Sequence, residues 1–185
     1  MPMGRSLTAF AAGAALSFAA SRLMPPFAGR AVGLARVAAG GDPFDALARD
    51  HRMVLGMMDT VLRSDGQARM RRTASLLQIK RSLTAHALAE EDIVYPMLRD
   101  EVGAIEASDR LYREHADMKV HLFRLEHLRP DDPRWQEEMI ALRDLVARHA
   151  ADEENNEFPR LRERLSREDI VQLSGDVSRE KQFVL

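Results

Sequence analysis

The chain has no cysteine. That excludes disulfides, thiolate metal sites, iron-sulfur ligation and thiol nucleophiles, so any metal must be held by nitrogen and oxygen. It also lacks a dominant charge, since 27 Lys and Arg stand against 29 Asp and Glu with no block of one sign. The electrostatic footprint expected of a DNA- or RNA-binding chain is therefore missing. The apolar run from Leu7 to Ala20 is 14 residues long behind a single Arg5, short of the ~20 residues a bilayer span requires. What remains, 45% apolar and 30% charged over 185 residues, suits one soluble helical domain with a sizeable core.

Residues 1–41 read as an apolar N-terminal extension and residues 42–185 as a helical bundle. Two readings of the extension stay open. Ser17 and Ala19 satisfy the small-x-small rule of a cleaved secretory signal. Alternatively, the run is an apolar helix that packs on the bundle, on a protein partner or on a membrane surface. A break at Pro25-Pro26 and a short helix near Val32 to Ala39 would then follow. The expected location is cytoplasmic, with this segment as the means of any attachment to a membrane.

Asp42 is a natural N-cap, with Pro43 at the first helical position, so a first helix is expected over Pro43 to Leu62. Ser64-Asp65-Gly66 is a turn, and a second helix should run from Gln67 to Leu98, its stripe of Leu76, Ile79 and Leu83 leading to His86. Gly103 breaks the chain. Ser108 is the expected cap of a third helix ending near Leu128, and Pro130-Asp131-Asp132-Pro133 separates it from a fourth. That helix carries Ile140, Leu142, Leu145 and Val146 up to His149 and continues to about Arg162. A short last helix should start at Ser166, where Ser166 and Asp169 can cap reciprocally.

The halves repeat. HALAEEDIVYPMLR, from His86, matches HAADEENNEFPRLR, from His149, at His, Ala, Glu, Glu, Pro, Leu and Arg, with Tyr95 answering Phe158. Leu47 to His51 likewise corresponds to Leu111 to His115, and His51 precedes His86 by 35 residues where His115 precedes His149 by 34. One helical hairpin therefore occurs twice. Two such hairpins with short connections make an all-α, antiparallel up-down four-helix bundle.

Residues four apart on a helix differ by only about 40° in direction. His86 with Glu90, and His149 with Glu153, are thus two nitrogen-oxygen clamps, and His51 and His115 add an imidazole from each remaining helix. Six polar groups on apolar stripes need mutual satisfaction, which a metal ion supplies. Four imidazoles with two bridging carboxylates suit a pair of ions, leaving positions for a bridging oxygen species and an exogenous ligand. Glu91 and Glu154 lie about 140° from their histidines, so they are expected to hydrogen-bond behind the ligands or to face solvent. His121 and His127 lie about 120° from His115 and read as structural or exposed. Tyr112, one turn before His115, can reach the site or sit in the core. Met53, Met57, Met58 and Met118 read as core filler.

At these residues the chain resembles the hemerythrin-like family, the HHE cation-binding domain, over about Asp42 to Leu173. One His on the first helix, HxxxE on the second, His on the third and HxxxE on the fourth is a specific pattern. The resemblance implies two non-haem iron ions, oxo- or hydroxo-bridged, at His51, His86, Glu90, His115, His149 and Glu153. It implies binding, sensing or detoxification of dioxygen, peroxide or nitric oxide, or iron sensing. The alternative is a di-iron enzyme acting on peroxide or in iron-sulfur cluster repair, although that repair class usually carries a cysteine-bearing N-terminal module. A third reading is a helical interaction module whose metal is only structural. Oxygen-carrying members place a second histidine one turn along the third helix, where this chain has Lys119. They also end with HxxxxD, where this chain has HxxxE followed by Glu154. Both departures argue against reversible oxygen carriage. Lys119 itself, an ammonium beside two cations, should extend away from the centre or lose its proton.

Overall fold

The computed structural model describes residues 41–182, and Ala35 alone among the residues before them. The helix, proline break and short helix expected in the N-terminal extension lie outside the described residues. Pro43–Leu62 forms α1, and Arg69–Ala89 forms α2, which runs through a π-helical segment, Glu90–Val94, into α3, Tyr95–Val102. Ile105–His127 is α4; Pro133–Asp152 is α5, followed by a second π-helical segment, Glu153–Glu157; α6 is Phe158–Arg162 and α7 Arg167–Lys181. Among the described residues there is no strand, and no helix is long and apolar enough to cross a membrane.

Capping sets where the helices begin. The Asp42 carboxylate accepts from the amides of Phe44 at 2.8 Å and Asp45 at 3.3 Å, and Asp132 does the same for Arg134 at 2.9 Å. Each thus satisfies donors that a helix start leaves orphaned. Ser166 and Asp169 form the reciprocal capping pair of α7. The expected cap at Ser108 is corrected. Gly103, at φ +72°, ends α3 in the left-handed conformation that glycine adopts without strain, and α4 starts two residues later. Ser108 is instead buried inside α4, where its hydroxyl donates to the Tyr95 carbonyl at 3.3 Å.

The second and fourth helices are not continuous α-helices as expected, for a reason written in both repeats. Pro96 and Pro159 lack an N–H, and a proline ring clashes with the carbonyl four residues back. Each helix therefore takes one extra residue into the preceding turn. The Tyr95 amide bonds back to the Glu90 carbonyl and the Phe158 amide to that of Glu153, five residues away rather than four.

Helix α1 packs on α2 and α5, α4 packs on α5, α3 and α2, and α7 lies against α2 and α1. Among the described residues the interior has two apolar cores. One joins Phe44, Leu47, Tyr95, Leu98, Leu111, Phe158 and Leu161 to Leu173 and Val177 of α7. The other holds Val54, Met58, Ile79, Leu125, Trp135, Met139 and Leu142. At that end the buried Arg72 guanidinium donates to the Ser64 carbonyl at 3.0 Å and the Pro130 carbonyl at 2.8 Å, tying the two interhelical turns together. It also lies 5.2 Å over the Trp135 ring. Met58 and Met118 are core residues, but Met53 is 50% exposed and Ile140 43%. Met139 takes the buried place on α5, because the stripe of this helix runs Trp135, Met139, Leu142, Val146, His149 at three- and four-residue steps.

Candidate metal centre

Between the two cores lies a polar layer. His51 of α1, His86 of α2, Glu90 of the first π segment, His115 of α4, His149 of α5 and Glu153 of the second π segment are all buried, and both glutamates are fully so. The histidines pair by hairpin. The His51 and His86 rings are 4.4 Å apart and those of His115 and His149 4.7 Å, against 6.2 Å between His51 and His149. The glutamates lie between the pairs. Glu90 Oε2 is 2.9 Å from His86 Nε2 and 3.4 Å from His115 Nε2. Glu153 Oε2 is 3.2 Å from His51 Nε2 and 3.3 Å from His149 Nε2.

Every imidazole turns its Nδ1 outward onto a carboxylate. His51 meets Glu154 at 2.9 Å and His115 meets Glu91 at 3.0 Å, each across to the other hairpin. His86 meets Asp50 at 3.5 Å and His149 meets Glu114 at 2.7 Å, each within its own hairpin. A carboxylate only accepts, so each Nδ1 carries a proton and each Nε2 is the nitrogen directed inward, available to a metal wherever it bears no proton. This carboxylate-histidine pairing is how metal-ligating imidazoles are usually oriented. The outer carboxylates are held in turn by cations: Asp50 by Lys181 of α7, Glu114 by Arg110, Glu91 by Lys119 and Glu154 by Arg52.

Several buried inward atoms make no well-directed hydrogen bond, although carboxylate oxygens lie close to both nitrogens: His51 Nε2, His86 Nε2, Glu90 Oε1 and Glu153 Oε2. Leaving such groups unpaired costs about 1–3 kcal/mol each, so their concentration at one point needs a ligand to explain it. His51, Glu90, His149 and Glu153 each offer a ligand atom, and these atoms lie within 4.8 Å of one another. The cluster is therefore able to hold a metal ion.

Without metal the cluster binds protons. Burial opposes a charge on His86, but Glu90, Asp50 and Glu153 outweigh it and push its pKa up to about 10. Against the same burial, Glu90 and Glu91 raise His115 to about 9. Burial is also overcome at Glu90, whose carboxyl is held well below the usual range by His86, His115 and His51.

Lys119 extends away from the centre. Its side chain is 60% exposed and its ammonium grips both oxygens of Glu91, at 2.7 and 3.0 Å. Tyr112 is neither in the core nor at the site: at 36% exposed, its hydroxyl donates to the Glu91 carbonyl at 2.6 Å. His121 bonds Glu138 and His127 bonds the Phe123 carbonyl, both away from the centre. The tyrosine that does enter is Tyr95, whose counterpart in the repeat is the apolar Phe158. It is fully buried with its hydroxyl 2.8 Å from Glu153 Oε1. On an unbroken α-helix Tyr95 would stand about 140° from Glu90. The extra residue of the π turn brings it round to the Glu90 face. Asp50 and Glu114 were also missed, although each directly precedes a site histidine at the same place in the repeat.

A cavity of about 30 Å3 opens beside the four histidines, lined also by Leu83, Met118, Leu122 and Val146. It has room for a molecule of a few atoms at most.

Comparison with known proteins agrees with the geometry. The chain is 36% identical over 95 residues to a DNA nickase of Nostoc sp., a match covering 51% of this chain but only 27% of the nickase. It is 23% identical over 142 residues to an uncharacterized hemerythrin-like protein of Schizosaccharomyces pombe, covering 76% of this chain and 69% of that one. No solved structure matches. A model of the hemerythrin HHE cation-binding domain matches residues 42–161. That stretch contains both hairpins, all four imidazoles and both buried glutamates, and the chain belongs to the hemerythrin HHE cation-binding domain family.

Proposed function

We propose that the polar layer holds two non-haem iron ions and that the protein binds, senses or detoxifies dioxygen or a related small species such as peroxide or nitric oxide. The observation that carries this reading is the set of unpartnered inward atoms on His51, His86, Glu90 and Glu153. His51 and His86 suit one ion, His115 and His149 the other, and Glu90 and Glu153 are placed to be shared. Nitrogen and oxygen donors suit iron, as they do zinc and manganese. The family favours iron. Iron bound there would supply redox chemistry toward dioxygen, peroxide or nitric oxide.

The protein's own residues do the rest. Glu154, Asp50, Glu91 and Glu114 fix the tautomer of the four imidazoles and raise their basicity. The two cores keep bulk water from the layer, and the small cavity between Leu83, Met118, Leu122 and Val146 limits access to molecules of a few atoms. The strand-cleaving activity of the Nostoc relative finds no support in the balanced charge of this chain.

The test is stopped-flow mixing of the iron-loaded, reduced protein with dioxygen, peroxide or nitric oxide in turn. A rapid change in the optical spectrum with at least one of them is expected. No change with any would leave the metal a structural part of a helical module. Repeated turnover of peroxide would favour an enzyme over a binding protein.

A further inference from the structure

Inside the ring of candidate ligands the hairpins differ at one place. Tyr95 and Phe158 hold equivalent positions, each closing its π turn, but only Tyr95 carries an oxygen. That oxygen lies 2.8 Å from Glu153 Oε1, 3.0 Å from His115 Nε2, 3.4 Å from His149 Nε2 and 3.5 Å from Glu90 Oε2. All of these side-chain contacts are to residues of the proposed centre. Phe158 meets the layer only through its ring, stacked on His51 with centroids 6.3 Å apart.

A phenol has one proton to donate. Given to Glu153, it leaves the Tyr95 lone pairs directed at His115. His115 uses Nδ1 on Glu91, so once the proton on its other nitrogen is displaced it presents the Nε2 lone pair to the Tyr95 oxygen, and to His149 Nε2 only 3.1 Å away. Three lone-pair-bearing atoms thus crowd one buried point. A shared cation relieves that crowding. Tyr112 shows the alternative, a hydroxyl spent on a backbone carbonyl at the surface.

We propose that the Tyr95 phenolic oxygen is itself a ligand, to the ion held by His115 and His149. This rests on the dinuclear iron reading. On binding, the O–H bond breaks and an iron–oxygen bond forms, the proton passing to solvent with no change in the oxidation state of the iron; a coordinating cation favours this loss. The two ions are then unlike, since one has an anionic oxygen donor and the other faces the carbon ring of Phe158 through His51.

The chain has two tyrosines, which makes the test clean. The full chain is loaded with ferrous iron, oxidised in air, and examined for iron content and by resonance Raman excited in its visible band. Phenolate vibrations are expected in the unmodified protein. They should persist in Tyr112→Phe and disappear in Tyr95→Phe while the remaining residues still hold iron. Two irons per chain without phenolate vibrations, or vibrations that survive Tyr95→Phe, would overturn the proposal and leave the dinuclear reading standing. Phenolate vibrations from a chain holding one iron would uphold Tyr95 and overturn the pair, and a chain that takes up no iron would overturn both. Should Tyr95→Phe misfold or lose iron, the unmodified protein and Tyr112→Phe decide.

Discussion

The two hairpins are copies that have not stayed alike, and where they differ is informative. Each supplies two imidazoles and a buried glutamate, each closes its clamp with a proline-driven π turn, and each sends one carboxylate across to the other's first-helix histidine. The differences gather on the other residues of the layer. Tyr95 faces Phe158. Asp50 holds His86 at 3.5 Å and is shared with Lys181, whereas Glu114 holds His149 at 2.7 Å and is flanked by Arg110. Duplication thus preserves the positions able to hold metal, while the differences between the copies lie in Tyr95 and in the outer carboxylates.

The largest effect should come from breaking what the hairpins share. Glu153→Ala removes a fully buried carboxylate that meets His51, His149 and Tyr95. Removing one partner of a buried charged pair typically costs about 3–5 kcal/mol. Iron content by elemental analysis should fall below one per chain, with helicity by circular dichroism largely kept; full iron retention would show that Glu153 is not a ligand.

Next is the pH response of the metal-free protein, which reports on both hairpins through His86 and His115. The folded-state pKa of His86, about 10, exceeds the ordinary imidazole value of 6.5. Its stabilising contribution is therefore fully present below pH 6.5 and is lost as pH rises through about 10. For His115 the loss is complete nearer pH 9. Denaturant titrations at pH 6.5 and 9.5 should show the metal-free protein weaker at the higher pH. Because metal must displace these protons, iron affinity should change the opposite way, strengthening over the same range.

Replacing the outer carboxylates compares the hairpins directly. Loss of such a partner typically weakens metal affinity about 10–100-fold. Glu114→Gln, at the shorter contact, should sit at the upper end and Asp50→Asn at the lower, as read by competition with a chelator. Equal effects would mean that the contact lengths carry no energetic difference.

Making the copies alike should also cost stability. Phe158→Tyr places a hydroxyl among Phe44, His51 and the apolar core, and an unpaired buried hydroxyl costs about 1–3 kcal/mol. The smallest effect belongs to Lys119→Ala. The Lys119 side chain is 60% exposed and its pair with Glu91 lies at the surface, so thermal unfolding should report a change of about 0–1 kcal/mol.

The bundle and the convergence of His51, His86, Glu90, His115, His149 and Glu153 were legible because helical period and internal repetition are both properties of spacing. The roles of Asp50 and Glu114 were less so. A residue next to a histidine on a helix points about 100° away from it, and only the packing of α1 on α2 and of α4 on α5 turns those carboxylates onto His86 and His149. Tyr95 was hidden by a change of period, since an α-helix directs it away from Glu90 and a π turn directs it inward. Its signal was nonetheless present, in a proline at the same place in both repeats. Arg72, arginine by type and core by position, reads as a surface residue until the Ser64 and Pro130 carbonyls it joins are brought together by the fold.

In the proposed dinuclear centre each hairpin holds one ion and the two glutamates are shared. Its most direct test is the iron content of the folded full chain after anaerobic loading with ferrous iron and removal of free metal. Two irons per chain are predicted, falling together when Glu90 or Glu153 is replaced by Ala. A plateau at one iron per chain, or loss of a single iron on replacing either glutamate, would contradict it.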